Sequence, residues 1–238
     1  MSLIVTVYVK EGIVMASDSR VSFNRSIISN GKIVEQIGIH ASNTTYKTFL
    51  CPNNAGISAC GDASINNTPI AGYLEQFIRE EITNGTQVSE MPEKLINYFQ
   101  KLSPSLNATF HVAGYEGDDI PHQSIYRINT QGPSTTLISS PEVWGATWDG
   151  EAEILRRLLT EFTLTIENEP RVIIPKMDIP FQFFTLQDAI DFSMYAIDTT
   201  IKTMKFCVMP ESVGFPVDIL VIKPDESFWI SRKELTVR

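Results

Sequence analysis

The chain opens with two short apolar segments that predict a β-hairpin. Residues 3–9 are β-branched and aromatic, and residues 13–17 resume the apolar run after the turn residues Lys10, Glu11 and Gly12. Similar segments, bounded by Gly, Pro, Asn and Asp, predict further strands. These lie at residues 47–51, 55–60, 108–114, 123–129, 134–139, 216–223 and 227–231. Residues 22–46 form a polar connection, rich in Ser and Asn, in which no element is predicted.

Other stretches follow the helical spacing of three and four residues. Apolar residues from Ile70 to Ile82 recur at that spacing and predict an amphipathic helix. A second helix is predicted at residues 89–102, where Ser89 can cap the first turn. Two more helices are predicted at residues 149–165 and 185–203.

The order of the elements indicates the fold class. Strands, two helices, strands, two helices and strands follow one another, which does not fit a βαβ alternation. We therefore predict an α+β fold, a four-layer αββα sandwich of two antiparallel sheets with a helix pair on each outer face. One domain is expected to span residues 1–238, with an extended insertion at residues 166–184 that contains three prolines. This insertion either folds back on the body or packs as an arm on a neighbouring subunit.

Composition and charge exclude several classes of function. A formal net charge of −9 without clustered Lys and Arg argues against nucleic-acid binding. Three cysteines without CxxC spacing argue against a disulfide framework or a structural zinc site and favour a reducing cytoplasm. The first apolar run has no basic segment before it and is interrupted by Thr6, Tyr8 and Lys10, so neither a signal peptide nor a membrane span is expected. We expect a cytoplasmic protein without a metal or a cofactor.

Residues 2–23 resemble, without a gap, the start of mature proteasome β-type subunits and their bacterial relatives. Ser2 stands where that family keeps its nucleophile, and Asp18 and Arg20 follow it by sixteen and eighteen positions, as in the family pattern. The resemblance continues at residues 59–62, 144–147 and 212–214. It implies the fold of N-terminal-nucleophile hydrolases and a threonine-type peptidase that here uses serine. It also implies peptide or unfolded-protein substrates and a homo-oligomeric ring or related assembly, and it leaves an ATPase partner open.

The chemistry expected of Ser2 needs no histidine. An N-terminal residue carries its own base, the α-amine, whose reference pKa of about 7.7–8.0 leaves part of it neutral at cellular pH. His40, His111 and His122 lie in no motif, and we assign them no catalytic role. A methionine bonded to Ser2 turns the amine into an amide, so this hypothesis requires the removal of Met1. The first residues could also be left over from cloning, in which case Ser2 is not the natural residue.

A nearby ammonium ion lowers the pKa of such an amine, and a carboxylate holds that ammonium in place. The resemblance implies Asp18 as the carboxylate, with Arg20 beside it. Two lysines are candidates for the ammonium. Lys47 opens a predicted strand and precedes Gly61 by fourteen residues, close to the family spacing, whereas Lys32 follows a predicted turn.

The developing oxyanion needs backbone N–H donors. Alignment with the small-residue strand of the family gives the amide of Ser58 or Ala59 as the candidate, although both residues could be packing positions. The family also places a serine and an acid near the nucleophile, from the loops before the third helix and before the last hairpin. Here the first loop lacks the family's Gly-Ser-Gly, and the second has Glu211 and Ser212 where an Asp with a following Ser is expected. Ser212 is the candidate serine.

Three functions remain open from the sequence. The first is a peptidase that hydrolyses peptide bonds through an acyl-enzyme on Ser2. The second is a catalytically silent structural subunit, which Met1 and the altered loops would fit. The third is an amidase for a small molecule, because one fold can serve several acyl-transfer reactions.

Overall fold

The computed structural model describes residues 2–29, 32–117, 119–165, 171–234 and 236. The helices among them are α1 (Ile70–Glu81), α2 (Met91–Leu102), α3 (Glu153–Leu159) and α4 (Leu186–Phe206). The strands among them are β1 (Leu3–Val9), β2 (Gly12–Ser17), β3 (Val21–Ser29), β4 (Lys32–Ser42), β5 (Thr48–Leu50), β6 (Gly56–Gly61), β7 (Ser64–Ile65), β8 (Thr68–Pro69), β9 (Ala108–Glu116), β10 (His122–Asn129), β11 (Ser134–Leu137), β12 (Gly145–Gly150), β13 (Phe162–Leu164), β14 (Val172–Ile174), β15 (Asp218–Ile222) and β16 (Ser227–Ser231).

Two five-stranded antiparallel sheets form the body of the protein. The first has the order β12-β1-β2-β15-β16, and the second has the order β11-β10-β9-β6-β5. Every residue of β1 and β2 is buried, which explains why their sequences are almost continuously apolar. The remaining strands pair as small ribbons, β3 with β4, β7 with β8, and β13 with β14.

Three apolar clusters hold these elements together. Helices α1 and α2 pack on the second sheet, with Phe77 and Phe99 from the helices and Phe110 from β9 in the same cluster. Helices α3 and α4 pack on the first sheet through side chains such as Leu155 and Ile197. A third cluster joins residues of both sheets. Its buried members are Tyr8, Ile13, Met15, Ala113, Ile125, Leu220 and Ile222. The predicted α+β class with antiparallel sheets is confirmed, while the complete four-layer sandwich stays a prediction.

The third predicted helix is shorter than the sequence pattern indicated. Residues 149 and 150 complete β12, which pairs with β1 in a register that places Gly150 opposite Leu3. Helix α3 then covers only Glu153–Leu159, and Phe162–Leu164 forms β13. The predicted helix was too long because local periodicity gives no information about strand pairing with distant residues.

The polar connection at residues 22–46 contains a long hairpin. Strands β3 and β4 pair with each other from Val21 opposite Ser42 to Ser29 opposite Lys32. Both strands carry exposed apolar side chains, including Ile28 and Ile33. The predicted turn between them, at residues 30 and 31, lies outside the described residues, as do Met1 and residues 166–170 of the predicted insertion.

Candidate active site

Asp18 lies directly after β2 and is fully buried. One carboxylate oxygen, Oδ1, accepts hydrogen bonds from the Leu3 backbone N–H at 3.0 Å and from Lys47 Nζ at 2.7 Å. The other oxygen, Oδ2, accepts from the backbone N–H groups of Arg20 at 3.0 Å and Gly214 at 3.1 Å. Four donors therefore surround the carboxylate, which is the environment that stabilises an ionised acid in a protein interior.

Lys47 provides the positive charge opposite Asp18. Its side chain is 5% exposed, and its ammonium also donates to the Arg20 carbonyl oxygen at 2.5 Å. Burial lowers the pKa of Lys47, and the Asp18 carboxylate opposes that shift. The structure thus brings Lys47 to Asp18, whereas Lys32 is an exposed residue at the far end of the β3–β4 hairpin.

Ser2 directly precedes β1, whose first residue, Leu3, donates to Asp18. It is 7% exposed and lines a small pocket with Lys47, Ala59 and Cys60. Apolar side chains, among them Phe49, form much of the remaining wall. The register of β1 with β2 places Ile4 opposite Ser17, so that Asp18 reaches the Leu3 amide and lies next to the start of the chain's first strand.

The Arg20 side chain points away from this carboxylate. Its Nε donates to Asn43 Oδ1 at 3.0 Å, and its NH1 donates to the carbonyl and carboxylate oxygens of Glu211, both at 3.0 Å. Arg20 therefore contributes its backbone to the site, through the amide on Asp18 and the carbonyl on Lys47. Its guanidinium ties the loop before β15 to the segment before Lys47.

Glu151 is a residue that the sequence analysis missed. Its backbone N–H donates to the Ser2 carbonyl oxygen at 2.7 Å, and its carboxylate accepts a hydrogen bond from Ser212 Oγ at 3.1 Å. The serine is thus the candidate Ser212 from the loop before β15, whereas the acid comes from the loop before α3. Sequence analysis missed Glu151 because this residue fell inside the helix predicted at residues 149–165, which the structure begins only at Glu153.

The backbone of β6 directs its N–H groups alternately to its two neighbours. The Ala59 N–H donates to the Lys47 carbonyl oxygen at 2.8 Å, on the side of β5, so the Ser58 N–H faces β9. Ser58 also shares a side-chain hydrogen bond with Thr48 at 2.9 Å. Both amides are therefore within the sheet. By the same alternation the Gly61 N–H points to the side of β5, which begins at Thr48 and leaves that position open.

These features can be compared with known proteins. The chain shares its fold with Anbu proteins. Anbu (ancestral beta-subunit) from Yersinia bercovieri matches with a TM-score of 0.56 and 15% sequence identity, over 96% of this chain and 87% of that chain. A mutant of Anbu from Hyphomicrobium sp. strain MC1 matches with a TM-score of 0.56 and 14% identity, over 98% of this chain and 89% of that chain. No family model and no curated protein matches the chain.

The prediction of a proteasome β-type subunit is therefore wrong. The structural neighbours are Anbu proteins, and neither a family model nor a curated protein supports the β-type family. The residues behind that prediction, Ser2, Asp18 and Arg20, describe a local site at one end of a sheet. Such a site does not distinguish one branch of a shared fold from another.

His111 belongs to a polar network in the interior, together with Asp149. Its Nδ1 shares a hydrogen bond with Thr6 Oγ1 at 2.9 Å, and its Nε2 lies 2.9 Å from Asp149 Oδ2. Arg127 pairs with the other Asp149 oxygen. Burial alone would raise the pKa of Asp149, but the bonds from His111 and Arg127 outweigh it and lower that pKa. The two hydrogen-bond partners of His111 described above, Thr6 and Asp149, both belong to this network.

Two further findings concern other classes of function. Within the described part of the chain, no helix is long and apolar enough to cross a membrane. Among the same residues, no group of three or more His, Cys, Asp or Glu side chains is arranged to hold a metal ion.

Cys60 gives a prediction about thiol reactivity. Burial raises the pKa of Cys51 and of Cys60 to about 12, whereas Cys207 is exposed after α4. Because the thiolate is the reactive form, we expect one fast-reacting thiol in the native protein at neutral pH and three after unfolding. Titration with an aromatic disulfide measures this. The Cys207→Ser variant should lose the fast phase, and any fast-reacting thiol that remains in that variant would contradict the burial of Cys51 or Cys60.

Proposed function

We propose that this chain is an N-terminal-nucleophile hydrolase that cleaves peptide bonds, with Ser2 as the nucleophile after removal of Met1. The observation that carries the proposal is the buried Asp18 carboxylate, which binds both the backbone amide next to Ser2 and the Lys47 ammonium. A buried ion pair costs desolvation free energy and is weak evidence for stability. Its place beside the first residues of the chain is better explained by chemistry.

In this mechanism, Ser2 supplies both the nucleophile and the base. The free α-amine accepts the hydroxyl proton while Oγ bonds to the substrate carbonyl carbon, and the carbonyl π electrons move to its oxygen. When that carbonyl re-forms, the C–N bond breaks and the ammonium proton passes to the leaving amine. Water then attacks the ester with the same amine as base, which releases the acid and restores the hydroxyl.

Lys47 and Asp18 set the protonation of that amine. The Lys47 ammonium lowers the pKa of the nearby α-amine by repulsion of like charges, which keeps the amine neutral and able to accept a proton. Asp18 keeps the ammonium in place through the bond of 2.7 Å. Catalysis through this arrangement therefore requires a charged Lys47 and a neutral amine at the same pH.

Gly61 is the proposed oxyanion donor in place of Ser58 and Ala59. Its N–H is directed to the open side of β6, while the Ala59 N–H already donates to Lys47 within the sheet. Gly61 has a positive φ of 107°, which a glycine adopts without strain. A backbone N–H fixed at the pocket edge can stabilise the developing negative charge without reorganising.

Glu151 and Ser212 are proposed to hold and assist the α-amine. The Glu151 backbone N–H donates to the Ser2 carbonyl oxygen at 2.7 Å, and its carboxylate accepts the hydrogen bond from Ser212 Oγ at 3.1 Å. Substitution Glu151→Gln should slow acylation of Ser2 by about ten- to a hundred-fold, because a group that supports proton transfer is weakened. The rate of covalent labelling of Ser2 measures this.

The matched control for this substitution is Glu153→Gln. Glu153 is an exposed residue of α3 that pairs with Arg157, and it should leave the labelling rate unchanged. Equal rates for Glu151→Gln and the unaltered protein would exclude Glu151 from the mechanism.

The substrate and assembly belong to the same proposal. Peptides or unfolded proteins are the proposed substrates, and a cytoplasmic homo-oligomer formed by a single-domain chain is the proposed assembly. Exposed apolar side chains on the β3–β4 hairpin support an assembly, since a two-stranded ribbon is barely stable without a partner surface. Exposed apolar side chains of β14, such as Ile173, are proposed to pack on a neighbouring subunit.

A peptide-based covalent reagent for N-terminal nucleophiles tests the proposed reaction. After incubation with protein that has lost Met1, mass spectrometry of the N-terminal peptide should locate the adduct on Ser2. The Ser2→Ala variant should give no adduct, and blocking the amine by acetylation should stop labelling of the unaltered chain. Labelling by small amides alone would favour the amidase, and no labelling of a chain with a free Ser2 amine would exclude both activities.

A further inference from the structure

A second buried ion pair, between Asp218 and Lys233, lies near Asp18 and Lys47 and has no role in the mechanism described above. Asp218, at the start of β15, is fully buried, and it stands opposite Ser17 of β2, the residue before Asp18. Its Oδ1 accepts the Lys233 backbone N–H at 2.8 Å, and its Oδ2 pairs with the Lys233 ammonium. The Lys233 side chain is 5% exposed.

Tyr46 connects this pair to Lys47. The Lys233 ammonium lies 4.5 Å from the centre of the Tyr46 ring, and the Tyr46 hydroxyl donates to the Lys233 carbonyl oxygen at 3.1 Å. On the other side of Lys47, the Thr48 hydroxyl donates to Ser17 Oγ at 2.8 Å. The residue after Lys47 is thus bonded to Ser17 of β2, and the residue before it contacts Lys233, the partner of Asp218.

We propose that Lys233 and Asp218 form a positioning pair, which holds Tyr46 and thereby keeps the Lys47 ammonium against Asp18. This inference rests on the proposed function, because it gives the pair a role in the reactivity of Ser2. The segment after β16 is then a structural part of the active site, although it is distant from Ser2 in sequence. A cation above the Tyr46 ring and a hydroxyl bond to the same residue fix the ring at two points.

Titratable groups face Lys47 from several elements. Asp18 faces it from the end of β2, Cys60 from β6, and Lys233 from the segment after β16. Burial is the largest cause that lowers the pKa of Lys47, Asp18 and Cys60 oppose it, and Lys233 lowers it further. In a chain with a free N-terminus, the α-amine of Ser2 would be a further group at this site.

The variants Lys233→Met and Lys233→Gln test the positioning pair. Both remove the positive charge, and Gln retains a donor for Asp218, which protects the fold if Met does not. The lysine side chains are labelled with ¹³C at Cε, and the Lys47 signal is identified by its loss in Lys47→Met. We expect the Lys47 titration midpoint to fall by roughly half a pH unit to one unit, because the weakened contact with Asp18 outweighs the removal of a nearby like charge.

Labelling of Ser2 provides a second readout on the full chain. Above the midpoint of Lys47 the ammonium is lost, so the alkaline limb of the labelling rate should move to lower pH by the same amount. Lys233→Arg, which keeps the charge, should restore the midpoint. The control Lys223→Met removes an exposed lysine after β15 and should change neither readout.

The possible results separate this inference from the proposed function. A Lys47 midpoint in Lys233→Gln that is equal to or higher than that of the unaltered protein would overturn the positioning pair, whether or not Ser2 is labelled. Slower labelling with an unmoved alkaline limb would also overturn it, because a loss of packing that does not reach Lys47 gives that result. A lowered midpoint in a protein whose Ser2 cannot be labelled would support the pair and exclude the hydrolase.

Discussion

Substitution Asp18→Asn is expected to abolish labelling of Ser2 and to lower the free energy of unfolding by about 3–5 kcal/mol. The amide leaves the buried Lys47 ammonium without its counter-ion. Its NH₂ group would also face a backbone N–H, that of Leu3 or of Gly214, which donates to a carboxylate oxygen in the unaltered protein. Mass spectrometry of labelled protein measures the first effect, and denaturant unfolding measures the second.

The control for Asp18→Asn is Asp198→Asn, which breaks an exposed pair with Lys202 within α4. Exposed pairs of this kind contribute about 0.3–0.5 kcal/mol, so both readouts should stay close to those of the unaltered protein. An Asp18→Asn variant that still reacts at Ser2 at the original rate would show that the ion pair does not control the nucleophile.

Substitution Gly150→Ala is expected to have the second large effect. Gly150 has a positive φ of 96°, and a Cβ at this position would overlap the Ser2 carbonyl oxygen. The strained backbone conformation should cost about 1–3 kcal/mol, and the displaced Ser2 should react more slowly by about a hundred-fold or more. Thermal unfolding and the rate of Ser2 labelling measure the two effects.

The same substitution elsewhere provides the control. Gly72 lies within α1, and a Cβ there would meet no atom within 4 Å. Gly72→Ala should stabilise the protein by up to about 1 kcal/mol, because alanine favours the helix, and should leave labelling unchanged. A Gly150→Ala variant that matches Gly72→Ala in both measurements would mean that Ser2 is not held by this turn.

Local features of this fold could be predicted from the sequence. The β1–β2 hairpin is a short-range pairing with a clear turn, and its register brings Asp18 beside Leu3. Helix α1 has a strongly periodic apolar face, and its buried residues include Leu74 and Phe77. In both cases neighbouring residues determine the structure, so that spacing alone contains the information.

Long-range pairings could not be predicted in this way. Glu151 reaches Ser2 because β12 pairs with β1, residues that are far apart in the chain. The same pairing shortened the third predicted helix. Lys47 was one of two candidates in the sequence, and the position of β5 beside β6 distinguishes it from Lys32. Lys233 gave no sequence signal, because its partners Asp218 and Tyr46 lie on two segments that are distant in the chain.

The state of residue 2 tests the central claim most directly. Mass spectrometry of the N-terminal peptide, from protein produced in its natural host and then treated with the peptide-based reagent, reports Met1 removal and Ser2 acylation together. The proposed hydrolase predicts a peptide that begins at Ser2 and carries the reagent on that residue. A peptide that keeps Met1, or one that begins at Ser2 but stays unmodified, would contradict it.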